Sequence, residues 1–519
     1  MPSPEHNRGS LFGILVLLNL AAVSSSRGAG VTIITHGFNG DIDSWIIPMA
    51  QQIPAYASFP GTNSSCYEMV VANDYSVSQS RIGGVSPLAS DSAEIIIKLD
   101  WSAVSVAFST ASTDIADAVV PKLLATNFIP ELGGRALVEL PIHLVGHSRG
   151  GSVVTELSRL LGARGIWVDH ATFLDPHPVS FPYGDAAIAV FENVLFADNY
   201  WQTNPDFACP NGQSVAGAYN RSLANLSNGY DCNHSDVHLW YHGTIDPRVP
   251  TTDTQEDLTS SERQNWWTTN ESTGATAGFY FTRIGGGDRL STNRPAGGNT
   301  APIRNGYNQR WDFGAGATNN RVSLPSNNGN WPNLIKFNLA GTNLMAHGQS
   351  NAVSLFTQWV QPASSNAAIN IWLDDDFNPY NGNAKLVRQV TAPGNTTNQI
   401  SFATNLALTV NATNATSGAH TLYAEIIGAG RTRYLYAPER LTVVSSFQAP
   451  RLAIAVPTNA PPRIDVMGVP GQRVVLQSAT NFPGWQSLVT NRLATNVWSY
   501  VDSQPGSASR FYRAVLQLE

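Results

Sequence analysis

The stretch IHLVGHSRGGSVV, residues 142–154, decides the fold class of this 519-residue chain. A short apolar run leads into Gly146-His147-Ser148-Arg149-Gly150, and the apolar residues that follow recur at helical spacing. A strand, a sharp turn flanked by glycines and a helix, in this order, form the elbow that presents a nucleophilic serine above the edge of a sheet. The pattern G-x-S-x-G also arises by chance, so Ser148 becomes a candidate nucleophile only through its neighbours along the chain.

The surroundings of this elbow predict an α/β domain. Between Val31 and about residue 290, short β-branched runs alternate with helical patterns, which is typical of a mostly parallel sheet with crossover helices. The predicted buried strands are VTIIT (31–35), EIIIKL (94–99), IHLVG (142–146), ATFLD (171–175) and VLFAD (194–198). We therefore predict a catalytic domain over residues 27–290.

The remainder of the chain reads as all-β. A Gly- and Asn-rich segment over residues 291–332 is predicted to be a linker, because apolar periodicity drops there. Short alternating strands separated by turn residues follow, without helical patterns. They predict two β-sandwich domains, over residues 333–447 and 451–519.

The N-terminal sequence and the net charge of the chain narrow down where the protein acts and what it can bind. Residues 1–26 have a polar start, a short apolar run and a small-residue exit, which predicts a secretory signal peptide and a secreted or cell-surface protein. In an oxidising compartment, Cys209 and Cys232 are the candidate disulfide, which leaves Cys66 free. A net charge of -7 without a basic stripe argues against nucleic acid and leaves small molecules, lipids and polymers as substrates.

A serine hydroxyl becomes a nucleophile only when a histidine, oriented by a carboxylate, removes its proton. In this fold the acid follows the serine and the histidine comes last. Asp175 ends the strand after Ser148 and precedes Pro176, which predicts its carboxylate at the same edge of the sheet. Asp198, at the end of the following strand, is the alternative acid.

The candidate base lies in YDCNHSDVHLWYHG, residues 230–243. His234, His238 and His242 are spaced by four, but no glutamate interleaves them as in the metal motif H-E-x-x-H. We predict a helix that begins at Ser235, with His234 in the loop before it as the base. His238 is the alternative base.

The oxyanion hole requires two backbone N–H donors. One is the amide of Arg149, directly after the candidate nucleophile. The other is predicted at Phe38, because His36-Gly37-Phe38 ends the first apolar strand and a glycine there allows close backbone approach.

A family resemblance supports this set. The motifs HGFNGDIDSW (36–45), LDWS (99–102), HLVGHSRGG (143–151), LDP (174–176) and CNH (232–234) resemble, in order, those of the pancreatic-lipase-like branch of the α/β-hydrolases. The resemblance covers roughly residues 31–245. The C-terminal segments resemble the immunoglobulin-like modules of secreted bacterial proteins.

The resemblance implies a lipase or phospholipase with Ser148, Asp175 and His234 as its triad and the Phe38 and Arg149 amides as its oxyanion hole. It further implies a lid bounded by the disulfide Cys209–Cys232, and the apolar residues between these cysteines approximate a helical stripe. Arg149 departs from the family, which has a small or apolar residue at that position.

The sequence thus predicts a secreted serine carboxylic-ester hydrolase without a cofactor, acting on an ester or lipid substrate. One alternative is a surface adhesion protein with a weak hydrolase domain, whose β-sandwiches contact a polymer or a cell surface. Another is an amidase or peptidase on the same triad, since the nucleophile does not specify the leaving group.

One acidic stretch in the first β-sandwich allows a calcium site. LDDDFNPYNGN, residues 373–383, offers the hard oxygen ligands of Asp374, Asp376 and Asn378. It lacks the EF-hand pattern and its closing glutamate, which favours a hairpin rich in Asx turns.

Overall fold

The computed structural model describes most of the chain with gaps. The described residues are 30–56, 64–88, 94–203, 210–223, 226, 229–230, 232–245, 258–259, 261–262, 266, 278–281, 321–326, 329, 331–339, 344–347, 350–359, 366–392, 400–409, 415–437, 440–444, 449–457, 460–481, 484–503 and 510–517. The predicted signal peptide lies outside them, as does most of the predicted linker.

The N-terminal part is built on one eight-stranded sheet. Its strands in chain order are β1 (Gly30–Thr35), β2 (Ser65–Val71), β3 (Val77–Gly84), β4 (Glu94–Asp100), β5 (Ile142–His147), β6 (Val168–Leu174), β7 (Val194–Gln202) and β8 (Tyr219–Leu223). They lie side by side in the order β3-β2-β4-β1-β5-β6-β7-β8, and all pairs are parallel except β2 with β3. Because β1, β5 and β6 are adjacent and parallel, their carboxyl ends meet at the centre of one edge.

Helices cover both faces of this sheet, as an α/β fold requires. They are α1 (Ile46–Tyr56), α2 (Ser112–Leu124), α3 (Gly150–Ala163) and α4 (Asn233–Ile245), with single 3-10 turns at Ser102–Val104, Pro130–Leu132, Leu137–Glu139 and Gly278–Phe281. Apolar residues of α2 and α3 pack in one core cluster with one face of the sheet, and those of α1 and α4 pack in a second cluster with the other face. Among the described residues, no helix is long and apolar enough to cross a membrane.

The α/β fold class is confirmed, with two corrections in detail. The helical stripe expected between the lid cysteines is wrong over Tyr219–Leu223, which is the edge strand β8. Apolar residues four apart fit both periods, and here the alternate burial of a strand prevails. The helix expected to begin at Ser235 begins at Asn233, because the Ser235 N–H already donates to the Cys232 carbonyl at 2.9 Å.

The first β-sandwich follows from Pro332. A six-stranded sheet contains β10 (Leu344–Ala346), β12 (Ala367–Asp374), β13 (Lys385–Ala392), β15 (Gly418–Gly428), β16 (Arg431–Tyr436) and β17 (Leu441–Val444). A three-stranded sheet contains β9 (Pro332–Leu339), β11 (Ser350–Trp359) and β14 (Ile400–Thr409). Buried residues of the two sheets form one apolar core.

The second β-sandwich is smaller. It consists of two three-stranded antiparallel sheets, one with β18 (Arg451–Ala455), β19 (Arg463–Met467) and β22 (Val497–Val501), the other with β20 (Arg473–Ala479), β21 (Gln486–Arg492) and β23 (Phe511–Leu516). Its core is correspondingly small, with Ile464, Val466, Val474, Leu476 and Leu493 fully buried.

The first β-sandwich packs directly against the α/β domain. Arg433 of β16 is buried and donates to Asp169 of β6 at 3.0 Å and to the Trp167 carbonyl at 3.1 Å. The Asn333 amide donates to the Gly165 carbonyl at 2.7 Å. Aromatic residues of the sandwich also join the core cluster that includes α2 and α3. The two units therefore share a polar and an apolar interface.

Candidate active site

Ser148 occupies a strained turn between β5 and α3. Its φ is +56°, in the left-handed region that non-glycine residues rarely adopt outside functional sites. The turn is held by the Ser148 N–H, which donates to the Leu174 carbonyl at 3.0 Å. Gly146 is required beside it, because a Cβ there would lie 2.3 Å from the Gly150 carbonyl oxygen. The glycines on both sides thus permit the elbow that the sequence predicts.

Asp175 and His234 meet at the same edge of the sheet. Asp175 directly follows β6, and its Oδ2 lies 2.5 Å from Nδ1 of His234 in the first turn of α4. Its Oδ1 accepts the Gln202 N–H at 2.8 Å. Gly212 packs so closely that a Cβ there would lie 2.3 Å from Oδ1. The carboxylate is therefore fixed on both of its oxygens and aimed at the imidazole.

The hydrogen bond to Asp175 determines which nitrogen of His234 is available as a base. With Nδ1–H donating to the carboxylate, Nε2 carries the lone pair. Within the described part of the chain, Nε2 is buried and has no hydrogen-bond partner. Burial lowers the pKa of His234 to about 3 and raises the pKa of Asp175 to about 6. At neutral pH the imidazole is thus neutral and the carboxylate ionised.

Neighbours of Ser148 contact His234. The preceding residue, His147, donates from Nε2 to the His234 carbonyl at 2.9 Å, and the two rings lie 4.4 Å apart between centroids. The His177 N–H donates to the Ser148 carbonyl at 3.2 Å, and its ring lies 6.3 Å from that of His234. The imidazole is therefore packed among the residues that border the serine.

The two alternatives from the sequence have other main contacts. The Asp198 carboxylate accepts from His170 at 2.8 Å, Thr172 at 2.6 Å and Tyr200 at 2.8 Å, in a fully buried polar network. His238 stacks on Trp45, with centroids 4.5 Å apart, and packs edge to face on His147, with centroids 4.9 Å apart. Neither side chain contacts the Asp175–His234 pair through a hydrogen bond that joins described residues.

The loop after β1 lies against the serine. A Cβ on Gly37 would lie 2.6 Å from Ser148 Cβ and 3.0 Å from its Oγ, so only glycine fits there. His36 Nε2 lies 3.1 Å from the Trp101 nitrogen and 3.3 Å from Asp100 Oδ1, and His36 Nδ1–H donates to the Gly37 carbonyl at 2.9 Å, since a carbonyl oxygen only accepts. Because the C=O and N–H of a trans peptide point in opposite directions, this bond directs the Phe38 N–H away from the His36 ring.

Sequence reasoning missed the partner of Arg149. The Arg149 side chain is completely buried, and its guanidinium forms a bidentate ion pair with Asp185 at 2.6 and 2.8 Å. Its backbone N–H is at the N-terminus of α3, where the helix leaves donors unsatisfied. Asp185 lies in the irregular segment YGDAA after β6, and no local sequence signal marks it.

Two exposed aromatic residues lie around Tyr183, next to the loop after β1. The exposed fraction of the residue is 50% for Phe38 and 69% for Phe108. The rings of Phe38 and Phe108 both pack on Tyr183, at centroid distances of 5.6 and 5.2 Å. Exposed aromatic rings that pack on one tyrosine form a patch that can accept an apolar group, and Phe38 places this patch next to Gly37, which lies against Ser148.

The remaining sequence predictions concern cysteines and metal. Cys232 is disulfide-bonded and Cys66 is free, whereas Cys209, the predicted partner, lies outside the described residues. Asp374 is the last residue of β12 and accepts from the Tyr436 hydroxyl, whereas Asp376 lies between β12 and β13 and accepts from the Asn378 N–H in an Asx turn. In the described ranges, no group of three or more acidic, histidine or cysteine side chains is arranged to hold a metal ion.

Comparison with known proteins adds little to this geometry. No protein-family model matches the chain, and no curated protein sequence matches it either. A solved structure described as a "putative cell surface hydrolase" from Lactobacillus plantarum WCFS1 is similar over 46% of this chain and 96% of its own, with 11% identity and a TM-score of 0.27. The CARDB domain of the PF1109 protein from Pyrococcus furiosus is similar over 22% of this chain and 97% of its own, with 9% identity and a TM-score of 0.15. Likenesses at such TM-scores carry no inference about function.

Proposed function

We propose that this protein is a serine carboxylic-ester hydrolase, lipase-like, that works through an acyl-enzyme on Ser148. The observation that carries the proposal is the 2.5 Å contact between Asp175 and His234, at the edge of the sheet where Ser148 occupies its left-handed turn. A buried carboxylate on Nδ1 and a lone pair on Nε2 are two of the parts that activate a serine hydroxyl, and the proposal requires the Ser148 hydroxyl to reach this Nε2, which has no hydrogen-bond partner among the described residues.

In the first half-reaction, Ser148 Oγ attacks the carbonyl carbon of the ester while its proton passes to Nε2 of His234. Asp175 stabilises the imidazolium that forms. The carbonyl oxygen becomes an oxyanion, which the N–H groups of Phe38 and Arg149 stabilise. Collapse of the tetrahedral intermediate expels the alcohol, which takes the proton from His234, and leaves the acyl group on Ser148.

In the second half-reaction, water replaces the alcohol. His234 removes a proton from the water, and the hydroxide attacks the acyl carbon. The carboxylic acid then leaves as Ser148 recovers its proton from His234. The chemistry needs no cofactor, because the chain itself supplies the nucleophile, the base and the electrophilic donors.

An apolar ester is the substrate class that the exposed aromatic surface favours. Phe38 and Phe108 offer such surface, packed on Tyr183 next to the loop that lies against Ser148. Such surface gains free energy when it is covered by hydrocarbon, and it gives no advantage to a charged peptide.

Action outside the cytoplasm is part of the proposal. The disulfide at Cys232 supports it, because disulfides persist in oxidising compartments and are rare in the cytosol. The signal peptide predicted at residues 1–26 leads to the same expectation.

Labelling with a fluorophosphonate and hydrolysis of a p-nitrophenyl ester series test the proposal. We expect the wild type to label and to cleave esters, and Ser148→Ala to do neither, with a loss in kcat of about 10⁴-fold or more. A wild type that neither labels nor cleaves any ester refutes the proposal. Faster cleavage of a matched p-nitroanilide than of the ester would instead indicate an amidase.

A matched pair of histidine variants tests the base. We expect His234→Ala to lose activity as Ser148→Ala does, because Nε2 of His234 accepts the serine proton. His238→Ala should lower thermal stability through the lost contacts with Trp45 and His147, and it should leave labelling intact, because His238 does not accept the serine proton. The opposite result would identify His238 as the base.

A further inference from the structure

The side chain of Arg149, the residue after Ser148, cannot bind the substrate directly. The Arg149 guanidinium donates twice to Asp185, and also to the Ser105 carbonyl at 2.6 Å and the Thr110 carbonyl at 2.9 Å. Four hydrogen bonds occupy most of the five donors of a guanidinium. Because the side chain is completely buried as well, it is not available to bind an acidic substrate.

Two aromatic rings lie against this guanidinium and extend to the loop after β1. The Arg149 Cζ lies 4.2 Å from the ring centroid of Tyr183 and 5.2 Å from that of Trp101. Tyr183 packs edge to face on Phe38, and Trp101 stacks on His36 with centroids 5.1 Å apart. His36 and Phe38 are the two neighbours of the glycine that touches the nucleophile. The guanidinium therefore supports this loop on both sides.

We propose that the Arg149 side chain is a positioning residue for the oxyanion hole, an inference that rests on the proposed function. Through Tyr183 and Trp101 it holds the loop His36-Gly37-Phe38 so that the Phe38 N–H faces the developing oxyanion. A preorganised donor stabilises the transition state because it needs no rearrangement when charge appears. Such donors must be held within about 0.5 Å of the productive position.

The contacts at position 149 require the chemistry of arginine, and a small or apolar side chain could not make them. A guanidinium is planar, so it stacks on two aromatic rings while its edge forms a bidentate pair with a carboxylate. The ion pair with Asp185 in turn fixes the segment that contains Tyr183. A lysine ammonium offers neither the flat face nor the fork, so Arg149→Lys is not a conservative change here.

The inference predicts a loss that is confined to the transition state. An oxyanion is absent from the bound ester and present only in the tetrahedral species, so a displaced donor lowers kcat and leaves KM unchanged. We expect Arg149→Met to lower kcat about 10- to 100-fold, up to the loss that follows removal of one oxyanion donor. Arg149→Lys should behave in the same way, and labelling by the fluorophosphonate should slow in parallel.

Two further variants separate positioning from folding. Arg433→Met removes another buried, ion-paired arginine at the domain interface, remote from the site, and should keep the wild-type kcat in the folded fraction. Tyr183→Leu removes the ring but leaves the ion pair, and should lower kcat about 10-fold even where Arg149→Met does not fold. The double variant Tyr183→Leu/Arg149→Met should lose little more kcat than Arg149→Met alone, since both changes act through one contact.

The experiment distinguishes failure of the positioning role from failure of the proposed function. If the wild type neither labels nor cleaves an ester, the proposed function fails first. If the wild type is active and Tyr183→Leu and Arg149→Lys both keep its kcat, the positioning role is refuted alone. It is equally refuted if the losses occur in KM only, or if Arg433→Met lowers the kcat of folded protein as much as Arg149→Met does.

Discussion

His234 Nδ1 lies 2.5 Å from Asp175 Oδ2, and the other carboxylate oxygen accepts a backbone N–H from Gln202. Strand β7 therefore holds the Asp175 carboxylate through Gln202 while the carboxylate orients the imidazole. This arrangement assigns different tasks to Asp175 and Asp198. Asp175 acts on the histidine, whereas Asp198 belongs to a buried polar network with His170.

The first prediction concerns the acid. Asp175→Asn should lower kcat about 10⁴-fold, because an amide NH₂ facing Nδ1 favours the tautomer without a lone pair on Nε2. The Gln202 N–H keeps its acceptor in this variant, so thermal stability should change little. Steady-state ester hydrolysis and a melting curve measure the two effects.

Asp198→Asn is the matched control. The Asp198 carboxylate accepts hydrogen bonds from Thr172 and Tyr200, and an amide cannot accept on both of its ends. We expect a loss of about 1–3 kcal/mol in the free energy of unfolding and an unchanged kcat. If Asp198→Asn removes activity and Asp175→Asn does not, the assignment of the acid is wrong.

The second prediction concerns pH. The proposed mechanism needs a neutral His234 and an ionised Asp175, and burial raises the pKa of Asp175 to about 6 while it lowers that of His234 to about 3. On acidification the group with the higher pKa takes up the first proton. The rate constant kcat/KM should therefore be flat around neutral pH and fall below a pH of about 6.

The residual activity of Asp175→Asn tests the cause of this fall in kcat/KM at acidic pH, the acid limb of the profile. With the carboxylate removed, only protonation of His234 remains, and its pKa lies below its ordinary value. The acid limb of the variant should move to lower pH than that of the wild type. A limb that stays in place or moves to higher pH would contradict the assignment of the two groups.

The third prediction concerns the loop after β1. Gly37→Ala places a methyl group 2.6 Å from Ser148 Cβ, so the loop or the serine must shift. A misplacement of about 1 Å at a reacting group costs about 10²-fold in rate, and we expect that loss in kcat/KM. Gly83→Ala is the control, because its Cβ would lie 3.6 Å from Cys66 Cβ, an ordinary contact. Equal activity of both variants would show that the loop is not close to the nucleophile.

Much of the fold follows from local sequence. The strands β1, β4, β5 and β7 begin within one residue of their apolar runs, since strands buried on both faces are continuously apolar. The strand β2 (SCYEMVV) was missed because it alternates polar and apolar residues near the edge of the sheet. The strand β8 was missed because its apolar residues also fit a helical period.

Less of the candidate site than of the fold can be predicted from the sequence. The order of motifs brings out Ser148, Asp175 and His234, because each follows a strand or precedes a helix in a recognisable way. The partner of Arg149 has no such signal, since Asp185 lies 36 positions further along in an irregular segment. Contacts between residues distant in sequence depend on the folded loops, and a single chain without its structure does not specify them.

The last prediction concerns the interface between the α/β domain and the first β-sandwich. Arg433 and Asp169 are 2% and 1% exposed, and their side chains lie 3.0 Å apart. Arg433→Met leaves the Asp169 carboxylate buried without its cation, which costs about 3–5 kcal/mol in similar buried pairs. We expect urea denaturation of the full chain to show a loss of that size.

Arg463→Met is the control for this loss, because the Arg463–Asp465 pair lies at the surface, with the two side chains 57% and 20% exposed. Solvent screens such a pair, so its removal should leave the denaturation midpoint unchanged. If Arg433→Met also leaves the midpoint unchanged, the Arg433–Asp169 pair does not contribute to the stability of the interface. A loss confined to Arg433→Met, with ester hydrolysis retained in the folded fraction, would show that the sandwich stabilises the α/β domain without taking part in the chemistry.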